Sequence, residues 1–190
     1  MDLRTARSQK SKERLKAAFL ELFTAKEPEE ITVVELCRSS GLNRSTFYAH
    51  YSFMEELTAE VLRESVIEVF AGITTQWELP MEQDGGVERG FIAEYVERLL
   101  GNRTVRRFCT CANAANYRTQ IIRAHVDLTL GPSRDSPAYF AAFFQNAGAL
   151  SFLLEWFNSG SSVPIGTMVD IIHEFSKVMY RPWPPSPPAE

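Results

Sequence analysis

The chain has 190 residues, 45% of them hydrophobic and 12% aromatic, and a formal net charge of −4 at pH 7. The hydrophobic content excludes a disordered chain, and the negative charge excludes a protein that is basic over its whole surface. The length allows one or two domains. Residues 1–16 hold six lysines and arginines against two acids. This segment is either a solvated terminus or an arm that contacts phosphates.

The first predicted helix is marked by apolar residues at the spacing of one helix face. These positions are Leu15, Ala18, Phe19, Leu22 and Phe23. Pro28 ends the helix, because a proline disfavours helical backbone in the residue before it.

Residues 31–51, ITVVELCRSSGLNRSTFYAHY, predict two short helices joined by a tight turn. Thr32 can cap the first helix, and Glu35 three residues later completes a capping box. Gly41 supplies the left-handed conformation that commonly ends a helix. Asn43 is suited to cap the second helix. These closely spaced helix starts and ends favour a helix-turn-helix, with an ordinary helical hairpin of a bundle as the alternative.

The second helix, residues 43–51, has an unusual outward face. Phe47 and Tyr51 lie one turn apart and face inward, so the positions between them point to solvent. A surface helix of a bundle usually carries Glu and Lys there, whereas this stretch contains no acid. An acid-free face suits a polyanion, and such a helix fits the DNA major groove. The predicted DNA-binding residues are Thr32, Arg44, Ser45, Thr46, Tyr48 and His50.

A third helix start follows at Ser52, where Glu55 predicts another capping box. Residues 31–62 resemble the DNA-binding domain of the TetR family of transcriptional regulators. The residues that carry this resemblance are Thr32, Gly41-Leu42, Thr46-Phe47-Tyr48, Tyr51 and Glu55-Glu56-Leu57. The resemblance implies a regulator, most often a repressor, that binds palindromic operator DNA as a homodimer under the control of an effector.

One position departs from the family pattern. The family usually has a lysine that contacts a phosphate just before the Glu-Glu-Leu run, whereas this chain has Met54. We therefore expect one phosphate contact fewer, a lower affinity and a slightly flatter salt dependence. DNA binding is still expected, because Arg44, Tyr48 and His50 remain.

The rest of the chain is also predicted to be helical. The segments are residues 53–77, 87–100, 104–115, 117–130, 137–158 and 164–180, separated by Gly, Asn and Pro. The fold class is therefore all-α, with an N-terminal three-helix helix-turn-helix DNA-binding domain at residues 1–52. A C-terminal helical regulatory and dimerisation domain follows at residues 53–181, and part of it, residues 139–160, resembles a domain found in many TetR-like regulators. Residues 182–190 form a proline-rich tail that is expected to be flexible.

The predicted helix 137–158 is apolar around most of its circumference. Such a helix must be covered on every side, which favours a two-fold homodimer through this helix and residues 164–180. The alternative is a central helix within a monomer, and the TetR resemblance implies the dimer. The predicted interface residues are Phe140, Phe143, Phe144, Ala147, Leu150, Leu154 and Phe157.

Catalytic, cofactor and metal sites are not expected. The three histidines lack metal-ligand spacing, and no phosphate loop or nucleophile elbow is present. Three cysteines without framework spacing predict a reduced chain. A cytoplasmic location is expected, because the N-terminus is charged and no apolar run is long enough to span a bilayer.

Several aromatic residues of the second domain are candidates for an effector pocket. They are Trp77, Phe91, Tyr95, Phe108, Tyr117 and Phe140. Aromatic residues at helical spacing fill cores first, so the ligand-binding residues stay undefined. An all-helical small-molecule-binding or protein-interaction module without DNA binding is the alternative function.

Overall fold

The computed structural model describes residues 3–71, 80–83, 85–130 and 135–179. The helices of this part are α1 Leu3–Phe23, α2 Val33–Ser40, α3 Arg44–Tyr48, α4 Met54–Phe70, α5 Arg89–Gly101, α6 Arg103–Thr110, α7 Ala114–Leu130, α8 Pro137–Asn158 and α9 Ile165–Met179. A 3₁₀ turn at Pro28–Glu30 lies between α1 and α2. Extended pairing within the described segments is limited to one antiparallel bridge between Met81 and Val87. The predicted all-α fold class is therefore confirmed.

Two of the predicted helix ends near α2 follow from local chemistry. Thr32 Oγ1 accepts the N–H of Glu35 at 3.3 Å, and Gly41 has the left-handed φ of 63°. A Cβ at position 41 would also lie 3.0 Å from Nη2 of Arg14. The capping box is only half formed, because the Glu35 carboxylate accepts from Lys26 at 2.6 Å instead of returning to the cap.

The predicted capping box of Ser52 with Glu55 is wrong. α4 begins at Met54 after Phe53, and no side chain caps its first turn. The N–H of Ser52 donates instead to Oε2 of Glu56 at 2.6 Å. Ser52 lies one residue before the cap position, Phe53, so the glutamate that accepts its N–H is Glu56 rather than Glu55.

Most of the helix ends after α4 lie where the sequence predicts them. Asn102 ends α5 and caps α6 by accepting the N–H of Val105 at 3.0 Å. Asn116, predicted as a separator, lies inside α7, and the break occurs at residues 111–113. The predicted helix 53–77 is helical to Phe70, and residues 72–79 and the tail 182–190 lie outside the described residues.

One hydrophobic core runs through both predicted domains. α4 packs against α1, α5, α6 and α7, while α7 packs against α8 and α5 against α9. Phe23 of α1 lies 4.4 Å from Phe108 of α6, measured between ring centroids, and Phe108 lies 4.9 Å from Tyr117 of α7. α1 therefore contacts α6 directly, and Phe108 links it to α7. None of the described helices is both long and apolar enough to cross a membrane.

Two carboxylates, Glu27 and Glu29, tie the turn between α1 and α2 to the corner between α6 and α7. We call this pair the carboxylate clasp. Arg107 donates to Glu27 Oε1 at 2.8 Å, and the N–H of Ala112 donates to Glu27 Oε2 at 2.8 Å. The N–H of Ala112 has the larger effect on the pKa of Glu27, and with Arg107 it lowers that pKa against the opposing effect of desolvation.

Glu29 forms the second half of the carboxylate clasp. Its Oε1 accepts from Nδ2 of Asn113 at 3.0 Å and from the hydroxyl of Tyr117 at 2.9 Å. Burial by itself raises the pKa of Glu29, but these hydrogen bonds outweigh it and hold the pKa below its usual range. Both clasp carboxylates are therefore stabilised in their charged form.

We expect the carboxylate clasp to make the folded chain sensitive to acid. A carboxyl with a depressed folded pKa stabilises fully above its unfolded pKa, and this stabilisation is lost as the pH falls through the folded pKa. The double variant Glu27→Gln, Glu29→Gln should therefore lose less stability than the wild type as the pH falls below 4.5, the ordinary pKa of both groups. Melting temperatures measured from pH 7 to pH 3 test this. The exposed Glu155→Gln variant is the control, and equal acid sensitivity of the wild type and the double variant would contradict the expectation.

Candidate nucleic-acid interface

α2 and α3 form the predicted helix-turn-helix, with α3 shorter than the predicted residues 43–51. Asn43 caps α3, and after Tyr48 the chain continues as a turn in which the N–H of Tyr51 donates to the carbonyl of Phe47 at 2.9 Å. Phe47 is fully buried and Tyr51 is 3% exposed, and their ring centroids lie 5.8 Å apart. The predicted inward face of α3 is therefore confirmed.

The cap of α3 also holds the short side chains of its outward face. Asn43 Oδ1 accepts from the N–H of Thr46 at 2.8 Å, from Oγ of Ser45 at 2.8 Å and from Oγ1 of Thr46 at 2.7 Å. Arg44 is exposed and forms no ion pair with any described residue, and Tyr48, four positions later on α3, is 59% exposed. Arg44 and Tyr48 are therefore the two long side chains that α3 extends into solvent.

His50 is anchored to α1 rather than free. Its Nε2 lies 2.7 Å from Oγ of Ser11, and the hydroxyl of Ser11 already donates to the carbonyl of Ser8 at 2.7 Å. Because a hydroxyl has one proton, this network assigns the donor role to Nε2–H of His50. His50 thus fixes the end of α3 against α1, and no local pattern in the sequence identifies Ser11 as its partner.

The basic segment at residues 1–16 is largely helical, because α1 begins at Leu3. Lys12 and Lys16 lie 2.8 Å and 2.6 Å from carboxylate oxygens of α4, and Arg14 donates to the carbonyl at the end of α2 at 2.6 Å. These three cations hold the helices together, so they belong neither to a solvated terminus nor to a free arm. Arg7 and Lys10 are exposed and have no side-chain partner in the described chain.

The first turn of α4 has a different character from the family pattern. Met54 is half-buried and packs against the hydrophobic core, while the preceding Phe53 is 59% exposed. Glu55 and Glu56 supply the charges of this turn. Thr32 is exposed, and its hydroxyl oxygen is used by the cap of α2.

The seven predicted interface residues of α8 do not share one environment. Leu150 and Leu154 are 7% and 5% exposed and belong to the core of the chain, so their inclusion in an interface is corrected. The half-buried residues are Phe143 and Ala147. The exposed residues are Phe140, Phe144 and Phe157, at 62%, 76% and 39%. One face of α8 is therefore covered within the chain, because α7 packs against it, and another is not.

α9 adds exposed apolar side chains that the sequence analysis did not name. Phe175 and Val178 are 60% and 66% exposed. They lie three positions apart on one helix face. The three-residue spacing of Phe175 and Val178 is visible in the sequence, but spacing alone does not show whether an apolar helix face is exposed or buried. We call Phe140, Phe144, Phe175 and Val178 the α8–α9 face.

The aromatic residues considered for an effector pocket mostly pack in the core. Phe108 and Tyr117 are buried, Phe91 and Tyr95 are half-buried, and Trp77 lies outside the described residues. A cavity of about 20 Å³ lies between α5, α7 and α8. Ligand pockets usually have volumes of about 300–1,000 Å³, so this cavity has room for a water molecule but is too small for an effector.

His125 lines this small cavity. Its Nδ1 lies 3.0 Å from the hydroxyl of Tyr95, and burial lowers the pKa of His125 to about 4. The imidazole is therefore neutral at pH 7 and acts as a polar member of the core. Cys37, Cys109 and Cys111 are free and buried, and the described residues contain no cluster suited to a metal ion.

Comparison with known proteins gives one distant similarity. No protein-family model matches the chain. Over 66 residues the chain is 33% identical to the uncharacterized HTH-type transcriptional regulator YxbF of Bacillus subtilis (strain 168). The match spans 34% of this chain and 17% of that protein. The chain is thus similar, over a third of its length, to a helix-turn-helix regulator.

Proposed function

We propose that the chain is a TetR-like transcriptional regulator, acting as a repressor, that binds palindromic operator DNA through α3. The observation that carries this proposal is the outward face of α3, where Arg44 and Tyr48 extend into solvent and no acid is present. Duplex DNA is a polyanion, and a helix in its major groove reads bases with the side chains of its first turns. The distant similarity to a helix-turn-helix regulator supports the same function.

The proposed active form is a homodimer that buries the α8–α9 face. A monomer would leave four large apolar side chains of two helices in water. To reach successive major grooves, the two copies of α3 in this dimer would have to lie about 34–36 Å apart. Two copies read enough base pairs for specificity against a genome, which one short helix does not.

The division into a DNA-binding domain at residues 1–52 and a regulatory domain at residues 53–181 belongs to the same proposal. The carboxylate clasp joins the α1–α2 turn to the α6–α7 corner. An effector that moves this corner would therefore move the helix-turn-helix as well. Coupling of this kind requires that the effector bind one of the two arrangements more tightly.

Selection of bound duplexes from random DNA tests the function directly. We expect the selected sites to have dyad symmetry, with half-site centres about one helical turn apart. Sedimentation of the protein at micromolar concentration should show a dimer. Selected sites without symmetry, or a monomer at this concentration, would contradict the homodimer.

A second candidate is a protein-interaction or small-molecule-binding module without DNA binding. The observation that favours it is the first turn of α4, where Phe53 is exposed and the lysine of the family pattern is replaced by the packed Met54. Aromatic residues are enriched at protein–protein interfaces. Failure to recover any duplex in the selection would favour this candidate.

Arg44 and Tyr48 should have different roles on DNA. Arg44 begins α3, where side chains reach base edges, so Arg44→Ala should cost about 1–3 kcal/mol and relax the preference at one base position. Tyr48→Phe should weaken binding to all sequences alike, because a hydroxyl on a phosphate carries no base information. Fluorescence anisotropy with the selected site and with single-base variants measures both effects. If Arg44→Ala leaves the affinity and the base preference unchanged, α3 does not lie in the major groove.

Met54→Lys should restore the phosphate contact that the chain lacks. The stem of a lysine can follow the path of the packed methionine while its ammonium group reaches water. We expect binding to specific and random DNA to tighten together, and the slope of log affinity against log salt to steepen by about one unit. A matched Met54→Gln variant, which adds polarity without charge, should leave the slope unchanged. A stable Met54→Lys protein with the wild-type slope would show that no phosphate lies beside residue 54.

A further inference from the structure

We propose that a groove between α1 and α6 binds a small organic anion that carries an apolar tail. The groove has a volume of about 540 Å³. Its α1 wall is formed by Leu20, Phe23 and Thr24, and its α6 wall mainly by arginines and threonines. We call it the α1–α6 groove. The proposed site goes beyond the proposed function, because it does not require DNA binding.

Charge is the first reason for an anion. Arg103, Arg106 and Arg107 line the α1–α6 groove, and no carboxylate is among its described lining residues. Glu27 neutralises Arg107 at 2.8 Å. Arg103 and Arg106 have no acidic partner within the described segments, although the chain as a whole carries a net charge of −4. Two uncompensated guanidinium groups therefore face one cleft.

Preorganisation is the second reason. Arg106 donates through Nη1 to the carbonyl of Leu100 at 3.0 Å, and its guanidinium lies 5.4 Å from the ring centroid of Phe157. Arg103 is three positions earlier and shares this side of α6. A guanidinium held in this way loses little freedom when it forms the paired hydrogen bonds that a carboxylate or phosphate accepts.

The remaining lining defines the shape of the ligand. Leu20 is 37% exposed, and Phe23 forms a buried floor beneath it. The hydroxyls of Thr24 and Thr110 donate to backbone carbonyls of their own helices, whereas Thr104 has no such partner among the described residues. The groove thus offers a hydroxyl beside the cations and an apolar strip opposite them. A volume of about 540 Å³ suits an amphipathic anion better than a bare inorganic ion.

DNA does not account for these charges. Ser11, which anchors the end of α3 through His50, lies twelve residues before Phe23 on α1. At 1.5 Å per residue the groove is therefore about 18 Å along α1 from that anchor. The groove also adjoins the contact of Arg107 with Glu27, so a bound anion would join α1 to α6 beside the carboxylate clasp.

Calorimetric titration of the full chain tests the proposal with three probes. Octanoate carries both the charge and the tail, octan-1-ol carries the tail alone, and inorganic phosphate carries the charge alone. We expect octanoate to bind more tightly than either of the other two. If phosphate or octan-1-ol binds as tightly as octanoate, or if no probe binds, the proposed amphipathic site does not exist.

Variants locate the site. Arg103→Gln with Arg106→Gln should weaken octanoate binding about tenfold or more, because charge-assisted hydrogen bonds are lost. The matched control is Arg63→Gln with Arg123→Gln, which removes two arginines from a cleft between α4 and α7 and should leave binding unchanged. An equal loss of octanoate affinity in both double variants would show that binding depends only on the overall charge of the protein.

The contacts of Arg106 make a second set of variants useful. Arg103→Gln alone removes a side chain with no described contact, and Leu20→Glu places a negative charge in the groove at an exposed position. Both should fold with the wild-type circular dichroism spectrum. Both should also weaken octanoate binding, with the larger effect in Leu20→Glu. Wild-type octanoate affinity in these two folded variants would overturn the proposal, whatever the state of the double variant.

Discussion

Phe144→Asp should convert the proposed homodimer into monomers. Phe144 is 76% exposed in the single chain and lies on the α8–α9 face, so the substitution removes no core contact. A central aromatic residue of an interface contributes about 2 kcal/mol or more, and two-fold symmetry makes each substitution count twice. The dimer dissociation constant should therefore rise about a thousandfold. Sedimentation velocity over a concentration series measures it.

DNA binding gives the second readout of Phe144→Asp. At protein concentrations at which the variant is monomeric, its affinity for the palindromic site should fall to that for a single half-site. Leu130→Asp is the matched control, since it places the same charge at an exposed apolar position on α7. If the Phe144→Asp protein stays dimeric, the α8–α9 face is not the dimer interface.

Phe108→Ala should destabilise the whole chain by about 3–5 kcal/mol. The side chain is fully buried between Phe23 of α1 and Tyr117 of α7, at ring-centroid distances of 4.4 Å and 4.9 Å. Its removal leaves a cavity where the first predicted domain meets the second. Urea unfolding followed by circular dichroism should show one transition at a lower midpoint, because both domains share this core.

The exposed Phe53→Ala variant is the control for Phe108→Ala and should change stability by less than about 0.5 kcal/mol. A double-mutant cycle with Phe23→Ala should give a coupling energy of about 0.5–3 kcal/mol, because the two rings touch. Two separate transitions, of which only the later one moves, would show that the helix-turn-helix unfolds independently.

The helix ends that the sequence predicts correctly are those set by neighbouring residues. Thr32, Gly41 and Asn43 act within three or four positions of themselves, through a hydroxyl, a left-handed φ and an amide oxygen. Such contacts depend little on the rest of the fold. The inward face of α3 was predictable for the same reason, because Phe47 and Tyr51 lie one turn apart.

The features that the sequence did not reveal depend on distant partners. The basic segment 1–16 was interpreted as a solvated terminus or a phosphate-contacting arm, but its Lys12 and Lys16 pair with glutamates more than forty residues later on α4. Most of the circumference of α8 is apolar, so its pattern did not separate the buried Leu150 and Leu154 from the exposed Phe144. Periodicity locates a face only when the opposite face is polar.

The cap of α3 has a consequence for the thermodynamics of recognition. Asn43 Oδ1 fixes the rotamers of Ser45 and Thr46 in the free protein. Ordering a side chain at an interface costs about 0.5–1.5 kcal/mol of conformational entropy, and a side chain that is already ordered is spared most of this cost. Short polar groups would thus enter the groove as a rigid surface. If α3 binds a duplex as proposed, we expect the side-chain entropy lost on binding to come mainly from Arg44, which is exposed and forms no ion pair with any described residue.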